Sequence, residues 1–597
     1  MTATSIEQGD LVTFTVKVEG SSIPETYQVF SIEIIKAINR ISVANIVILD
    51  GSADEEDFVI SSSATFILGK KISIEAGYNS QNQQIFSGII TKQSLHVDSG
   101  MGATLTVECK DPAVKMTVGR KNACFIKTKD SDVISTLISG YGGLSSDVTA
   151  TTNTLPQLVQ HYCSDWDFML SRAEVNGMVV SAINGKVSVF KPEANTTSVL
   201  TITYGKNMYG FNAELNSVTQ LNSVKASAWD SKTQQLISGK ASNTLSGAGN
   251  LSSKTLAGVV GLDEFELQTT AQEATENLTD WAKAQMLKNE FAKITGHTRF
   301  QGSALVEPSV YITIAGMGDR FNGDHLVSGV THTISDGNWF TQTQLGLSPQ
   351  WFVQEPEVIA PPAAGLLPGV QGLYNATVKK IDADPDSAYR ILITLPLFDP
   401  TGKGIWARLS NFYSTNGEGA FFLPEIDDEV IVGFLNDDPR YPIILGSLYS
   451  ANRKPYSTLT PNAQNSHKAI VTKSDLRLVF NDQDKVLTVT TPAGNIVELD
   501  DKNKQITLKD ENGNSMVMSA SGINLKSSKN ISIEADQKIT IKGTTGVEVQ
   551  SSGGDVATKG LNIKEEAQVE FNAKGSAQAT VQGGATLTLK GAMVMIN

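Results

Sequence analysis

His161, Cys163 and Asp165 come closest, among the residues of this 597-residue chain, to the types and spacing of a nucleophile site. A cysteine is activated when a histidine accepts its proton and a carboxylate orients that histidine. The three residues lie in the run QLVQHYCSDWDFMLSRAEVNG, from 157 to 177, whose apolar residues recur near helical spacing and predict a helix. Side chains on such a helix more often pack in a core or an interface. Packing is therefore the favoured interpretation, and a Cys–His dyad is the alternative.

The spacing of the other candidate residues fits a metal or phosphate site less well. His325 and His332 are seven residues apart, which puts them on opposite faces of a regular strand, so a shared metal ion would need a bulge. Gly316 and Gly318 lack the following helix that a phosphate-binding loop requires, so we interpret them as a strand and a turn. The carboxylates at 427–429 predict a solvated turn. We expect no catalytic residue, no cofactor and no metal site.

The elements that would position these residues are mostly strands. Six β-rich runs fill residues 10–110 and predict a barrel or closed sandwich. After a helical region at 130–177, a second β-rich region extends to about Leu347. Its longest predicted helix lies near Asp263 to Lys293, with Gly296 just past the end. A proline-rich linker precedes five short strands at 373–449, which predict a small antiparallel barrel of the OB type.

The last quarter of the chain repeats every eight residues. One apolar column recurs once per repeat, a second column follows two residues later, and glycines share a third register. A spacing of two is that of a strand with one buried face, and the fixed period indicates stacked copies of one strand-and-turn unit. The columns break at Asp555 and Glu565, which predicts a local irregularity or a wet core there. The predicted core residues are Ile531, Ile533, Ile539, Ile541, Val547, Val549, Ile563, Phe571, Val581, Leu587 and Leu589.

One octad supplies one strand and one bend, which is too little to enclose a core within one chain. Two identical faces from other copies would bury it, so the repeat predicts a trimeric, intertwined β-helix with glycines at crowded corners. The looser repeats from Val489 to Met518 bring the count to about fifteen strands per chain. At ~4.8 Å per strand the predicted rod is roughly 70 Å long.

Bulk properties exclude several classes. A net charge of −14 disfavours binding to nucleic acid, whose phosphates require basic patches. The cysteines Cys109, Cys124 and Cys163 show no CxxC spacing and favour synthesis in a reducing compartment. The polar start MTATSIEQGD predicts no signal peptide, and no apolar run has the length of a membrane span.

Three stretches resemble the VgrG proteins of type VI secretion and the related hub–spike proteins of contractile phage tails. The first is QIFSGIIT (84–91). The second comprises Gln160, Ser164, Asp165, Trp166, Asp167, Phe168, Arg172, Glu174 and Gly177. The third stretch is the OB segment, where the similarity is strongest, in Asp384-Pro385-Asp386, Arg390, Trp406-Ala407-Arg408, Leu423-Pro424-Glu425, Asp428-Glu429-Val430, Asp438-Pro439-Arg440, Pro442 and Leu445-Gly446-Ser447-Leu448-Tyr449. The octads, with Val581-Gln582-Gly583 and Leu589-Lys590-Gly591, are similar to the trimeric needle of the family.

The resemblance implies a mainly β homotrimer with seven segments in each chain. These are a first hub β-barrel (1–115), a helical connecting region (116–177), a second hub β-barrel with a helical insertion (178–353), a proline-rich linker (354–372), an OB-fold module (373–450), a connector (451–474) and a trimeric β-helix needle (475–597). Two similar barrels in each of three chains would adapt a hexameric tube and its baseplate to a threefold needle that pierces a membrane mechanically.

The resemblance also implies partners and limits. A small PAAR-like tip protein would bind Met593, Val594, Met595, Ile596 and Asn597, although these residues could instead close the trimer core. Some phage needles bind a metal ion through histidines near the tip, but no histidine follows His467, so we expect no such ion.

Some relatives carry a fused hydrolase. The short connector and octads running to the last residue predict that this chain is not an enzyme and that effector cargo attaches non-covalently. We expect assembly in the cytoplasm and delivery outside or into a target cell on contraction. The alternatives are a tail spike of a phage or phage-like particle and an enzyme-carrying puncturing device.

Overall fold

Strands dominate the chain, as the alternation of its residues predicts. A computed structural model describes residues 11–98, 102–193, 196–244, 246–355, 358–457 and 459–596. The chain divides into two units, Met1–Leu448 and Tyr449–Asn597, and each unit is described by itself below.

The β-rich runs of the first 110 residues form strands with one buried face. In the fourth strand Ala44, Ile46 and Ile48 alternate with half-buried residues and are completely buried, which explains why this run is extended. The strands are β1 (Val12–Val18), β2 (Ser21–Ser22), β3 (Val29–Ala37), β4 (Val43–Leu49), β5 (Lys71–Tyr78), β6 (Gln81–Asp98) and β7 (Gly102–Lys110).

The helix predicted over 157–177 begins only at Asp165, and its first half is a strand. Ser164 caps the helix, since its side chain accepts a hydrogen bond from the backbone N–H of Asp167. The residues before it pair antiparallel with a neighbouring strand, with a register shift between Gln160 and Cys163. The elements are β8 (Lys121–Thr128), α1 (Asp130–Ser139), β9 (Ser145–Val148), β10 (Leu155–Cys163), α2 (Asp165–Val175), β11 (Val179–Ile183) and β12 (Lys186–Phe190).

The second β-rich region carries an α/β insertion. Its longest helix begins at Thr275 rather than near Asp263, and it packs on a three-stranded sheet through Leu278, Ala282 and Met286. The elements are β13 (Leu200–Thr203), β14 (Met208–Leu215), β15 (Ser223–Asp230), β16 (Gln235–Ser242), α3 (Ser253–Val260), β17 (Phe265–Thr269), α4 (Thr275–Phe291), β18 (Ile294–Gln301), β19 (Tyr311–Ala315), β20 (Gly323–Ser335) and β21 (Asn338–Leu345).

Gly296 lies inside β18. The sequence predicts a glycine just past the end of the helix, but Gly296 does not cap α4. A Cβ at this position would lie 2.2 Å from the carbonyl oxygen of Asn212 on the neighbouring strand β14. Glycine is therefore required by the close approach of two strands rather than by the end of a helix.

Most strands of the two β-rich regions, each predicted to form a barrel, belong to one sheet of thirteen strands, whereas β11–β12 and β15–β17 lie in two separate three-stranded sheets. Strand β3 pairs antiparallel with β20, from Ala37 opposite Gly329 to Ser31 opposite Ser335. This pairing joins the two regions because the edge of each supplies the hydrogen-bond partners of the other. The main strand order is β14-β18-β21-β20-β3-β4-β7-β6-β5-β1-β2, with β19 on β20 and β13 on β19.

The five strands predicted for the OB segment close into a barrel in the order β22-β23-β24-β28-β27. Asp384, in the loop after the first strand, accepts hydrogen bonds from the Arg390 guanidinium, at 2.6 Å from Nη2 to Oδ1, and from the backbone N–H of Ala388 at 2.8 Å. The strands are β22 (Tyr374–Lys380), β23 (Ile391–Thr394), β24 (Ile405–Leu409), β25 (Ser414–Thr415), β26 (Glu418–Gly419), β27 (Glu429–Phe434) and β28 (Pro442–Ser447).

The beginning of the C-terminal unit is an antiparallel meander of seven strands. The repeats from Val489 to Met518 were counted as rungs shared between three chains, but they pair with one another within this chain. Tight turns account for this, since Gly494 and Gly513 have φ of 94° and 85° and reverse the chain between strands. The strands are β29 (His467–Val471), β30 (Arg477–Asn481), β31 (Val486–Thr490), β32 (Ile496–Asp500), β33 (Gln505–Lys509), β34 (Ser515–Ser519) and β35 (Gly522–Lys526).

Candidate functional site: the apolar face of the C-terminal unit

The contacts of the candidate residues Cys163 and Asp165 fit the favoured packing interpretation rather than the alternative nucleophile site. Cys163 is buried, and burial raises the pKa of its thiol, whereas a nucleophilic cysteine needs a lowered pKa. Asp165 accepts hydrogen bonds from Lys121 and Tyr141, both at 2.6 Å, and from Gln160 at 2.9 Å, instead of orienting a histidine. Burial alone would raise the pKa of Asp165, but these hydrogen bonds outweigh burial and lower it.

The Asp165 network joins strands β8 and β10 to the start of α2. Lys121 lies on β8, Gln160 on β10 and Asp165 in the first turn of the helix. This arrangement agrees with the predicted packing role, although half of the segment is a strand.

The two histidines of β20 also stay apart. The bulge that a shared metal ion would require is present, between Val327 and Gly329. His325 Nε2 nevertheless lies 2.8 Å from the carbonyl oxygen of Phe321, and His332 Nδ1 lies 3.0 Å from Thr341 Oγ1. Burial lowers the pKa of His332 to about 3, so its ring is neutral. Across the residues that the structure describes, no group of three or more His, Cys, Asp or Glu side chains could hold a metal ion.

The glycines and carboxylates in loops behave as predicted for turns. Gly316 and Gly318 have φ of 80° and 76° in the turn after β19, where left-handed backbone favours glycine. In the turn before β27, Asp428 Oδ2 accepts a hydrogen bond from the backbone N–H of Glu425 at 2.9 Å. These side chains order loops.

The meander presents one apolar face made of two side-chain columns. Cross-strand pairs define each column, because directly opposed residues of antiparallel strands share a face. The residues of the opposite face are mostly polar, for example Thr488, Glu498 and Thr507. The first column contains Ile470, Leu478, Val489, Val497, Leu508, Met516 and Leu525, and the second contains Phe480, Leu487, Leu499, Ile506, Met518 and Ile523.

The two columns continue into the octads. Ile523 and Leu525 are the last members of the meander columns and also the first members of the octad columns, which continue as Ile531 and Ile533. We call the combined surface from Ile470 to Leu589 the apolar seam. Its octad members are 47 % to 74 % exposed in the single chain, from Ile539 to Val581. Apolar exposure of this extent marks an interaction surface.

Strand pairing within the chain differs before and after Lys526. Consecutive strands of the meander pair with each other, whereas the described residues 527–596 contain no strand pairing within the chain. Backbone N–H and C=O groups that leave water require partners, so burial of this segment demands strands from elsewhere.

Glycines of the third octad register stand at tight corners. A Cβ on Gly543 would lie 2.1 Å from the carbonyl oxygen of Gly546. A Cβ on Gly575 would lie 2.2 Å from that of Gln578, and one on Gly583 would lie 2.5 Å from the carbonyl oxygen of Thr586. Each of these three clashes involves the carbonyl oxygen of the residue three positions later.

The proposed tip residues are exposed side chains. Met593, Met595 and Ile596 are 77 %, 82 % and 88 % exposed, and Val594 is 53 % exposed. Asn597 lies outside the described residues.

Sequence reasoning placed Val489 to Met518 in the repeat but did not predict that these strands pair within the chain. The signal for this pairing was present, since the segments between strands contain Asp482-Gln483-Asp484-Lys485, Pro492-Ala493-Gly494-Asn495 and Glu511-Asn512-Gly513-Asn514, which are typical of hairpin turns. The spacing of nine or ten residues between those strands also differs from the octad period.

No described helix is both long and apolar enough to cross a membrane.

Comparisons with known families match two parts of the chain. The model described as the Alg8 N-terminal domain matches residues 8–336, more than half of the chain. The model described as the type VI secretion system/phage-baseplate injector OB domain matches residues 374–449, which contain the closed barrel.

Individual relatives match over short or distant stretches. The type VI secretion system spike protein VgrG1a of Pseudomonas aeruginosa is 35 % identical over 78 residues, which are 13 % of this chain and 12 % of that protein. The actin cross-linking toxin VgrG1 of Vibrio cholerae is 36 % identical over 100 residues, 15 % of this chain and 9 % of the toxin. The chain thus matches about a tenth of the length of these curated relatives.

Among solved structures, the E. coli c3393 protein, a component of the type VI secretion system, is similar over 72 % of this chain and 99 % of its own, with 13 % identity and a TM-score of 0.37. The 43 kDa tail protein of prophage MuSo2 from Shewanella oneidensis is similar over 57 % of this chain and 98 % of its own, with 9 % identity and a TM-score of 0.44.

Proposed function

The chain belongs to the family of VgrG and phage-baseplate spike proteins and carries an Alg8-type N-terminal domain, and from this premise we propose that it assembles as a homotrimeric hub and needle of a contractile injection system. The apolar seam is the observation that carries the proposal. The needle joins a hexameric tube and baseplate to a threefold tip, and contraction drives it through a target membrane.

Three copies of the seam bury one another. Full burial of a Val, Leu or Ile side chain stabilises by about 1.5–3 kcal/mol, so covering a seam residue that is about half exposed contributes about 1 kcal/mol. Two columns of such residues in each chain repeat this contribution many times. A threefold arrangement points all seams at one axis and leaves the polar faces, such as that of Thr488 and Glu498, in water.

The change of pairing at Lys526 supports two kinds of structure within the needle. In the meander each chain makes its own sheet, which supplies one side of a three-sided prism. In the octads, consecutive strands of one chain lie on successive sides, and their hydrogen bonds go to the other two chains. The absence of strand pairing within the chain over the described residues 527–596 is the pattern that intertwining requires.

The thirteen-stranded sheet supports a ring-shaped hub. Its main order ends in β14 on one side and in β2 on the other, and sheet edges offer unpaired backbone groups. Head-to-tail contacts between three copies would cover both kinds of edge and form a closed ring. Such a ring could dock a hexameric tube.

The role that we propose requires a rigid needle and no catalytic residue. The side chains with nucleophile and metal-ligand types are engaged in packing and turns, as described for Asp165, His325 and His332. The sheath would supply the energy, and effectors would travel as separate molecules attached non-covalently. The same architecture in a phage or phage-like tail is the second candidate, since one matching family model is named for both systems.

A pair of adjacent substitutions tests the seam. Ile541→Asn places an amide in the second column, whereas Thr540→Asn changes the neighbouring residue, which points away from the columns by the period of two. Sedimentation equilibrium should give three chains for the wild type and for Thr540→Asn, with weaker association for Ile541→Asn. Equal association of the two variants would contradict the seam as the trimer core.

The tip assignment is tested by removing Met593–Asn597. We propose that these residues bind a PAAR-like tip protein, because Met593, Met595 and Ile596 are largely exposed. The truncated chain should remain trimeric and lose co-purification with the tip protein. Unchanged co-purification would place the partner elsewhere, and loss of the trimer would mean that these residues close the core.

A further inference from the structure

A cavity of about 270 Å³ lies between the α/β insertion and the helical connecting region, and no residue of the apolar seam lines it. One wall is the start of α4 and the loop before it, with Glu273, Asp280 and Trp281. The opposite wall is formed by α1 and α2, with Asp130 and Arg172, and Leu155 and Leu158 of β10 line it as well. The cavity exists because the insertion packs against the connecting region.

One ion pair lies within the cavity, and the other charged side chains that line the cavity are negative. Arg172 binds Asp130 through two parallel hydrogen bonds, Nε to Oδ1 at 2.7 Å and Nη2 to Oδ2 at 3.0 Å. A bidentate pair of this kind neutralises both groups. The carboxylates of Glu273 and Asp280 remain.

These two carboxylates are held in place by amides. Asn277 Nδ2 donates to Glu273 Oε2 at 2.9 Å, and Asn153 Nδ2 donates to Asp280 Oδ2 at 2.8 Å. Lys283, which is about half exposed, forms an ion pair with Asp280 at 3.4 Å, whereas no ion pair to Glu273 occurs among the described residues. Glu273 is thus a partly buried carboxylate without a cation in a cavity that Trp281 also lines, and such a cavity suits a positively charged group.

We propose that this cavity binds a basic side chain, arginine in the first instance, presented by a partner polypeptide. Size selects the class of ligand, because pockets for drug-sized molecules have volumes of about 300–1,000 Å³ and this cavity is smaller. The apolar stem of arginine would lie along Leu155 and Leu158, and its guanidinium would reach Glu273 and Trp281. The inference rests on residues of the first unit and not on the apolar seam.

The test titrates the full chain with a capped Gly-Gly-Arg-Gly-Gly peptide and follows the peptide by saturation-transfer NMR. The peptide should bind, and the capped Gly-Gly-Gln-Gly-Gly peptide should not. Glu273→Gln should weaken binding about fivefold, the factor that a partly exposed ion pair supplies. Glu276→Gln removes an equal charge from an exposed position on α4 outside the cavity and should leave binding unchanged.

The proposal would be overturned if the arginine peptide did not bind, and also by each of the following three results. Equal binding of the glutamine peptide, or equal effects of Glu273→Gln and Glu276→Gln, would show that the cavity does not select a cation. Tighter binding of free arginine than of the peptide would indicate a small-molecule site instead of a polypeptide partner. Circular dichroism of both variants checks that each is folded, which is expected because neither glutamate lies in a hydrophobic core cluster.

Discussion

The glycine corners of the octads give the sharpest quantitative prediction. In Gly583→Ala the new Cβ would lie 2.5 Å from the carbonyl oxygen of Thr586, 2.8 Å from its carbonyl carbon and 3.1 Å from the backbone nitrogen of Leu587. All three are backbone atoms, so relief requires movement of the chain itself. Overpacking of this kind costs about 1–3 kcal/mol, and three identical substitutions in a trimer would cost about 3–9 kcal/mol.

Gly584→Ala is the matched control. A Cβ on Gly584 meets no atom within 4 Å, and the same register carries Ser576 and Ala592 in the adjoining octads. The two variants have the same composition and differ only in which of two adjacent glycines is changed.

The assay is guanidinium unfolding, with circular dichroism for structure and light scattering for the number of associated chains. Gly583→Ala should unfold and dissociate at a clearly lower denaturant concentration than Gly584→Ala, which should resemble the wild type. If the two midpoints coincide, the corner does not require glycine and the geometry of the octad turn is wrong. Ala535 and Ala567 occupy the same register in other octads, so the effect is specific to the crowded corners.

Two further predictions concern the first unit. The hydrogen bonds to Asp384, that from Arg390 above all, lower the pKa of this carboxyl below its unfolded value of about 3.9. They therefore stabilise the barrel at neutral pH, and this stabilisation is lost as the pH falls from about 4 through the depressed folded pKa. Asp384→Asn should reduce the difference in barrel stability between pH 7 and pH 3, measured by thermal unfolding, and an unchanged difference would refute the assignment. Of the three cysteines, Cys124 is exposed and should react first with a thiol reagent at pH 8. Cys163 should react slowly because it is buried and the pKa of its thiol is raised. Rapid labelling of Cys163 in the folded chain would contradict its packing role.

Local patterns predicted many of the strands. The alternation around Ala44 and Ile46 indicated a strand with one buried face, and the five runs of the OB segment indicated five strands. These predictions succeeded because burial of one face sets the period of two within a single segment. The pairing of β3 with β20 could not be predicted in the same way, since it joins residues about three hundred positions apart and leaves no local signal.

The incorrect predictions concern segments whose residue pattern fits two different structures. Residues 157–163 have apolar spacing that fits a helix, but pairing with β8 makes them a strand, and only the cap at Ser164 marks the true start of the helix. The meander and the octads both place apolar residues two apart. The turns distinguish them, because glycine or asparagine hairpins return the chain to its own previous strand, whereas the octad bend carries it onward.

The octad part of the candidate site rests on the sequence. The octad columns predicted Ile531 to Leu589 as core, and that assignment stays a prediction until a trimer is observed. The structure adds the pairing within the chain that aligns the meander columns from Ile470 to Leu525. Sequence periodicity placed both parts in one repeat because both have apolar residues two positions apart.

The native mass of the purified full chain tests the central claim most directly. One chain has a mass of 63.9 kDa, so light scattering coupled to size exclusion should give three times that value, about 192 kDa, down to micromolar concentration. A stable folded monomer of 63.9 kDa would leave the apolar seam uncovered in water and would contradict the trimeric needle.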